Sequence, residues 1–269
     1  MSARVSPQTS RRIFLRACAS AAVLPFAFVS SDVIAQAQLV DRSGSLRMLS
    51  QRMQKAYCQL GLSILPNDAE TILGRSLTRF NGAMVALREN KFSDQSIIRR
   101  IDADWSQFRD LVSVPPNKTS FAKIDALSES ILQSAEALTA QLAISLAVQA
   151  ARVTNVSGRQ RMLSQRMAKS AFAIMWGMDL GTHGKRYDAA REQFLSALDE
   201  LKKSPQNSQL TLRALDAAEI QFGFFDSALG NRGQINNLSL TRAANVAKSN
   251  ERLLEVFDEL TGLYAQQLG

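Results

Sequence analysis

Histidine, cysteine and long apolar runs are scarce in this chain. Among 269 residues there is one histidine, His183, and two cysteines, Cys18 and Cys58. A disulfide-stapled fold is therefore excluded, and stability has to come from packing. The same scarcity leaves no Cys-x-x-Cys-His haem site and no metal-ligand cluster. Gly-rich phosphate loops and nucleophile–base pairings are missing too. Carboxylates such as Asp102/Asp104 and Asp216/Glu219 fall on helix faces that read as solvated, and the Glu-x-x-His pairing of di-iron bundles does not occur. His183 lies in a Gly-rich stretch and reads as a solvated turn residue. Composition thus points away from an enzyme, and no cofactor or metal is expected. Lys/Arg blocks interleaved with aromatics are also lacking, so nucleic acid is not an expected partner.

The net charge is +8. Within residues 1–37, Arg4, Arg11, Arg12 and Arg16 stand against Asp32, so the remainder carries +5. That mild excess suits small anions or acidic surfaces. Ser10-Arg11-Arg12-Ile13-Phe14-Leu15-Arg16 is a twin-arginine pattern. An apolar stretch from Ala17 to Val29 follows, too short for the roughly 20 residues that span a bilayer. Ala35-Gln36-Ala37 then offers a small-x-small cleavage site. Residues 1–37 are expected to be a signal peptide that sends a soluble protein to the periplasm by the twin-arginine route. Cleavage leaves Cys58 alone.

What the chain does contain is an internal repeat. Ser43-Gly44-Ser45-Leu46-Arg47-Met48-Leu49-Ser50-Gln51-Arg52-Met53-Gln54-Lys55 matches Ser157-Gly158-Arg159-Gln160-Arg161-Met162-Leu163-Ser164-Gln165-Arg166-Met167-Ala168-Lys169 at an offset of 114, with ten of thirteen positions identical. Trp105 and Phe108 recur as Phe222 and Phe225 at an offset of 117. A period near 115 is too long for a solenoid unit and suggests two domains. Strand-like alternation is absent, and turn residues cluster in few places. The pattern predicts helices near 40–63, 68–90, 94–113 and 119–150, then near 155–179, 185–203, 207–229 and 234–267. Val153-Thr154-Asn155-Val156 is a poor helix run and is predicted to turn the chain. The expected fold is all-α: two tandem antiparallel four-helix bundles related by an internal repeat, over 38–151 and 152–269.

On a helical wheel the repeated box has two stripes. Leu46, Leu49, Met53, Ala56 and Leu60 form a core stripe, as do Leu163, Met167, Ala171 and Ile174. Met48, Met53, Met162 and Met167 read as core filler rather than as a soft-metal site. Opposite lie Gly44, Arg47, Gln51, Gln54 and Cys58, matched by Gly158, Arg161, Gln165, Ala168, Phe172 and Trp176. Two aromatics on that second face imply a cover, and its natural cover is the other copy. Gly44 and Gly158 are then expected to let two backbones approach closely. Pairing about a pseudo-two-fold axis brings Arg47 and Arg161 together. Two guanidiniums repel unless an anion lies between them, and their flat forks match a flat oxyanion. Gln51 and Gln165, one turn on, are candidate donors. Arg52 and Arg166 lie on the flank, suited equally to ligand contact and to inter-helix pairing.

These boxes resemble the first-helix motif of bacterial nitrate/nitrite sensor kinases. They are similar also to the N-terminal domain of type IV pilus methyl-accepting chemotaxis transducers. The resemblance covers about thirteen residues per copy. In the kinases the box opens a periplasmic four-helix bundle that dimerises, and one arginine per chain grips a single nitrate. Carried over, this implies gripping roles for Arg47 and Arg161, box glycines at Gly44 and Gly158, and downstream arginines at Arg52 and Arg166. The family's sensors continue into membrane helices and signalling domains, and no such segment is expected within these residues. The resemblance therefore implies a non-enzymatic periplasmic module for nitrate or nitrite that acts through a membrane sensor or transporter. The alternative is a helical interaction protein that docks on a membrane receptor, chemotaxis or transport component without a small ligand.

Overall fold

The computed structural model describes residues 31–145, 151–230 and 232–266. Residues 1–30, which hold the twin-arginine pattern and its apolar stretch, lie outside them. Among the described residues there are eight α-helices and no strand: α1 (Ser31–Gly61), α2 (Pro66–Glu89), α3 (Gln95–Val112), α4 (Lys118–Ser145), α5 (Ala151–Met175), α6 (Leu180–Lys202), α7 (Gln209–Leu229) and α8 (Leu240–Gln266). A 3₁₀ turn, Arg232–Asn237, precedes α8 and packs on α5, burying Ile235. The all-α helical expectation holds.

Local chemistry sets the helix ends. Pro66 opens α2, where its missing N–H costs nothing. Asp94 caps α3 by accepting from the amides of Ser96 and Ile97. Ser208 and Thr211 form a capping box on α7. Gly177 (φ 82°) and Gly230 (φ 68°) supply the left-handed residues just beyond α5 and α7. Asp179 caps α6 through the amides of Gly181 and Thr182. The stretch Gly181–Gly184, read as a connection, is therefore the first turn of α6. Val153–Val156, read as a turn, lies inside α5; burial of Thr154 and packing of Val153 and Val156 on the core outweigh their weak helix propensity.

Helices α1–α4 pack on one another, as do α5–α8. The two box helices are central. α1 is flanked by α2, α4 and α5; α5 by α1, α6 and α8. Nearly every side chain of α1 from Ser43 to Gln59 is buried, polar stripe included, and α5 is buried likewise from Gln160 to Ile174 apart from Arg166. α1 and α5 run parallel and in register. Arg47 meets Asn155 near one end, and Tyr57 meets Trp176 at the other (5.8 Å between ring centroids).

Correspondences extend outward. Phe80 stacks on Trp105 at 3.9 Å, and Phe194, 114 residues on, stacks on Phe222 at 4.7 Å. Each fully buried ring of this kind contributes about 2 kcal/mol. Between α2 and α3, Arg88 pairs with Asp102; between α6 and α7, Lys202 pairs with Glu219.

Candidate functional site

Arg47 and Arg161 lie at the α1–α5 seam and are 1% and 4% exposed. Arg47 donates from Nη1 to Glu136 Oε2 of α4 (2.6 Å), from Nη2 to Asn155 Oδ1 of α5 (2.9 Å) and from Nε to the Gly44 carbonyl (3.3 Å). Arg161 donates from Nη1 to Asp258 Oδ1 of α8 (2.8 Å) and from Nη2 to Asp41 Oδ1 of α1 (2.5 Å). The pattern is reciprocal. Each arginine crosses to the other's helix, and the residues met there, Asn155 and Asp41, are 114 apart.

Gly158 marks how closely the two guanidiniums approach. A Cβ built there would lie 3.1 Å from Arg161 Nη2 and 3.9 Å from Arg47 Nη2. One built on Gly44 would lie 2.9 Å from Arg47 Nη2, with no facing backbone nearer. The glycines thus make room for guanidiniums folded back over the preceding turn.

The electrostatics differ from a bare arginine pair. Burial lowers the Arg47 guanidinium below its usual range, with Arg161 and Arg159 adding to the effect and Glu136 opposing it. Burial acts on Arg161 in the same direction, but Asp41 and Asp258 outweigh it and raise the group. Arg159 approaches Glu136 at 4.0 Å. The chain's own carboxylates therefore face both like charges at the seam. Those carboxylates are half-exposed, with side chains of Glu136, Asp41 and Asp258 between 36 and 40% accessible.

One turn further on lie Gln51 and Gln165, both fully buried. Gln51 donates to Ser128 Oγ (3.1 Å), and Ser128 Oγ donates to the Ser50 carbonyl; Asn250 Nδ2 donates to the equivalent carbonyl of Ser164. Gln165 has no partner at either end of its amide, and Nε of Arg161 has none either. Two buried donors four residues apart on α5 are thus unsatisfied at the seam, in a protein interior where such groups are normally paired.

Arg52 and Arg166 turn away to a further layer. Arg52 pairs with Glu251 of α8, and Arg166 with Glu129 of α4 (2.6 Å). Each shares its carboxylate with a lysine that helical periodicity does not single out. Lys55 and Lys169 are fully buried; Lys55 pairs with Glu251 and Lys169 with Glu129 (2.7 Å). Burial lowers both ammonium groups. Asp125 joins this layer through Gln54, Arg186 and Lys169. A signal was available: lysine closes both copies of the box. Its glutamate partners are 122 residues apart rather than 114, which hid the match.

His183 is buried, not solvated, and stands edge-on to Phe121 at 5.5 Å; burial lowers its pKa. Cys58 is buried and its thiol is pushed up by desolvation. Met48, Met53, Met162 and Met167 are core residues. Among the described residues no group of three His, Cys, Asp or Glu could hold a metal ion, and no helix is long and apolar enough to cross a membrane.

Fold and site together define a helical bundle with a buried, charge-paired polar seam. Residues 142–221 match the family model of the type IV pili methyl-accepting chemotaxis transducer N-terminal domain (PilJ). That span holds α5 with its arginine box, α6 and much of α7. The chain is thus similar, over this part, to the N-terminal domain of a chemotaxis transducer. Comparison with curated proteins and with solved structures gives no match.

Proposed function

We propose that this chain is a periplasmic, non-enzymatic sensing module built from two copies of one four-helix bundle, over 38–151 and 152–269, and that it binds nitrate or nitrite between Arg47 and Arg161. The observation that carries the reading is the pair of unsatisfied donors beside the paired guanidiniums: Nε of Arg161 and Nε2 of Gln165. A planar oxyanion supplies the acceptors they lack. It takes the place of half-exposed carboxylates that return to water at modest cost, whereas the buried arginines stay fixed. The match to a chemotaxis transducer's N-terminal domain supports a sensory role. Residues 1–37 are proposed as the twin-arginine leader, and a membrane sensor or transporter as the recipient of the signal.

Release of Asp41 removes one tie between α1 and α5, and release of Asp258 removes one between α8 and α5. Occupancy thereby loosens ties between helices, which is how a bundle with no catalytic group reports a ligand. Calorimetric titration of the purified chain with nitrate, nitrite, sulfate and chloride tests the reading. Saturable binding of nitrate or nitrite, preferred over chloride, is the expected result. Failure of all four to bind at millimolar concentration removes the proposal.

A further inference from the structure

Beside Arg161 the seam opens into a cleft of about 790 Å³. A four-atom oxyanion fills little of it; clefts of roughly 300–1,000 Å³ suit organic ligands. Its walls come from α1, α2, α5 and α8, and three arginines line it: Arg42, Arg79 and Arg161. Asp41 and Asp258 line it too, and both are already bound to Arg161. The side chains of Arg42 and Arg79 have no hydrogen bond or ion pair among the described residues. Both are exposed, so they offer free forks at the mouth while Arg161 offers its unpartnered Nε from the buried end. On the wall from α8, Gly262 leaves open space, since a Cβ there would meet nothing within 4 Å.

Cationic donors thus stand at two separated levels of one cleft. We infer that it binds a small organic dicarboxylate, one carboxylate held by Arg42 and Arg79 at the mouth and the other reaching Arg161. Guanidinium forks bind carboxylates in two-pronged fashion, which makes two free forks a better match to a carboxylate than to a neutral ligand. A monoacid of the same length satisfies one level only. Asp41 and Asp258 repel every anion in the cleft, so only a ligand that engages the arginines at both levels gains enough to offset them.

The inference shares Arg161 with the oxyanion reading but does not rest on it, and the test separates them. The purified chain is titrated calorimetrically with succinate and glutarate, with butyrate as the monoacid control and with nitrate in parallel. The same series is run on the R42Q/R79Q double variant, whose exposed sites leave the fold intact as checked by circular dichroism. One of the diacids is expected to bind saturably, about tenfold or more tighter than butyrate. The double variant should lose about tenfold or more in diacid affinity while its nitrate titration is unchanged. Absence of saturable binding by both diacids overturns the inference, and so does diacid binding that survives in the double variant. Nitrate binding without diacid binding removes this inference alone; diacid binding without nitrate binding removes the oxyanion reading alone.

Discussion

Lys55 of α1 donates to Glu251 of α8 from a fully buried position, and Lys169 of α5 makes the mirror contact with Glu129 of α4. Each pair ties a box helix of one four-helix group to the last helix of the other. Arg52 and Arg166 share the same two carboxylates, and Asp125 with Arg186 extends the cluster around Lys169. Buried pairs of this kind add little over an apolar substitute, yet losing one member leaves a charge with no answer in a medium where water is missing. That asymmetry gives the first expectation.

Glu251→Gln should destabilise the chain by about 3 kcal/mol, because Lys55 is then buried without a counter-charge. Lys55→Met should cost clearly less, since it removes the buried charge and leaves Glu251 with Arg52. Glu129→Gln should cost less than Glu251→Gln, because Asp125 still stands 3.6 Å from Lys169. Urea unfolding, read by circular dichroism, provides the comparison; equal costs for Glu251→Gln and Lys55→Met would mean the buried ammonium is not held by this carboxylate.

Acid should weaken the same clusters. Burial on its own raises the Glu251 carboxyl, but Lys55 and Arg52 overcome it and hold the group at about 2 against a usual 4.5. Glu129 and Asp125 are lowered too, with burial opposing and Lys169 foremost among the groups that lower them. A carboxyl depressed by folding contributes stability above its unfolded value and loses it as pH falls toward its folded value. Unfolding free energy should therefore fall between about pH 4.5 and pH 2, and the fall should be shallower in Lys55→Met. Urea midpoints collected across that range measure it; a wild-type midpoint that stays level from pH 5 to pH 3 is the contrary outcome.

Gly61 closes α1 against the buried ring of Trp176. A Cβ there would fall 2.2 Å from Cζ2 of that ring, which is wedged between Tyr57 and Phe121 at 5.8 and 5.9 Å. Gly61→Ala should cost about 2 kcal/mol by overpacking and change tryptophan emission. Gly74→Ala in α2, where an added Cβ meets nothing within 4 Å, should be neutral or stabilising by up to about 1 kcal/mol. Thermal melts of the two variants make the comparison, and equal melting temperatures would contradict it.

Much of this was legible in the sequence. The helix pattern, the two boxes and the buried second stripe followed from periodicity and from matching thirteen residues to thirteen. Arg47 and Arg161 do meet at the seam, and Phe172 and Trp176 are covered as their position implied. What escaped depends on partners brought from far along the chain. Glu136 and Asp258 lie on α4 and α8, whose offset of 122 differs from that of the boxes because the 3₁₀ turn and its flanks lengthen the second half. The box alone shows two like charges and none of these partners, so it implies an outside anion. His183 was misjudged for a related reason: its neighbouring glycines suggest a loop, while Asp179 caps a helix there and Phe121 covers the ring.

The central claim is that Arg47 and Arg161 act as one oxyanion grip. It is tested most directly by nitrate affinities of Arg47→Ala, Arg161→Ala and the double variant. If one guanidinium alone cannot hold the ion, each single change should lose nearly as much affinity as both together, with a coupling of about 1–3 kcal/mol in the cycle. Additive losses, or a nitrate affinity that neither substitution alters, would show that the two arginines serve only to bind the helices.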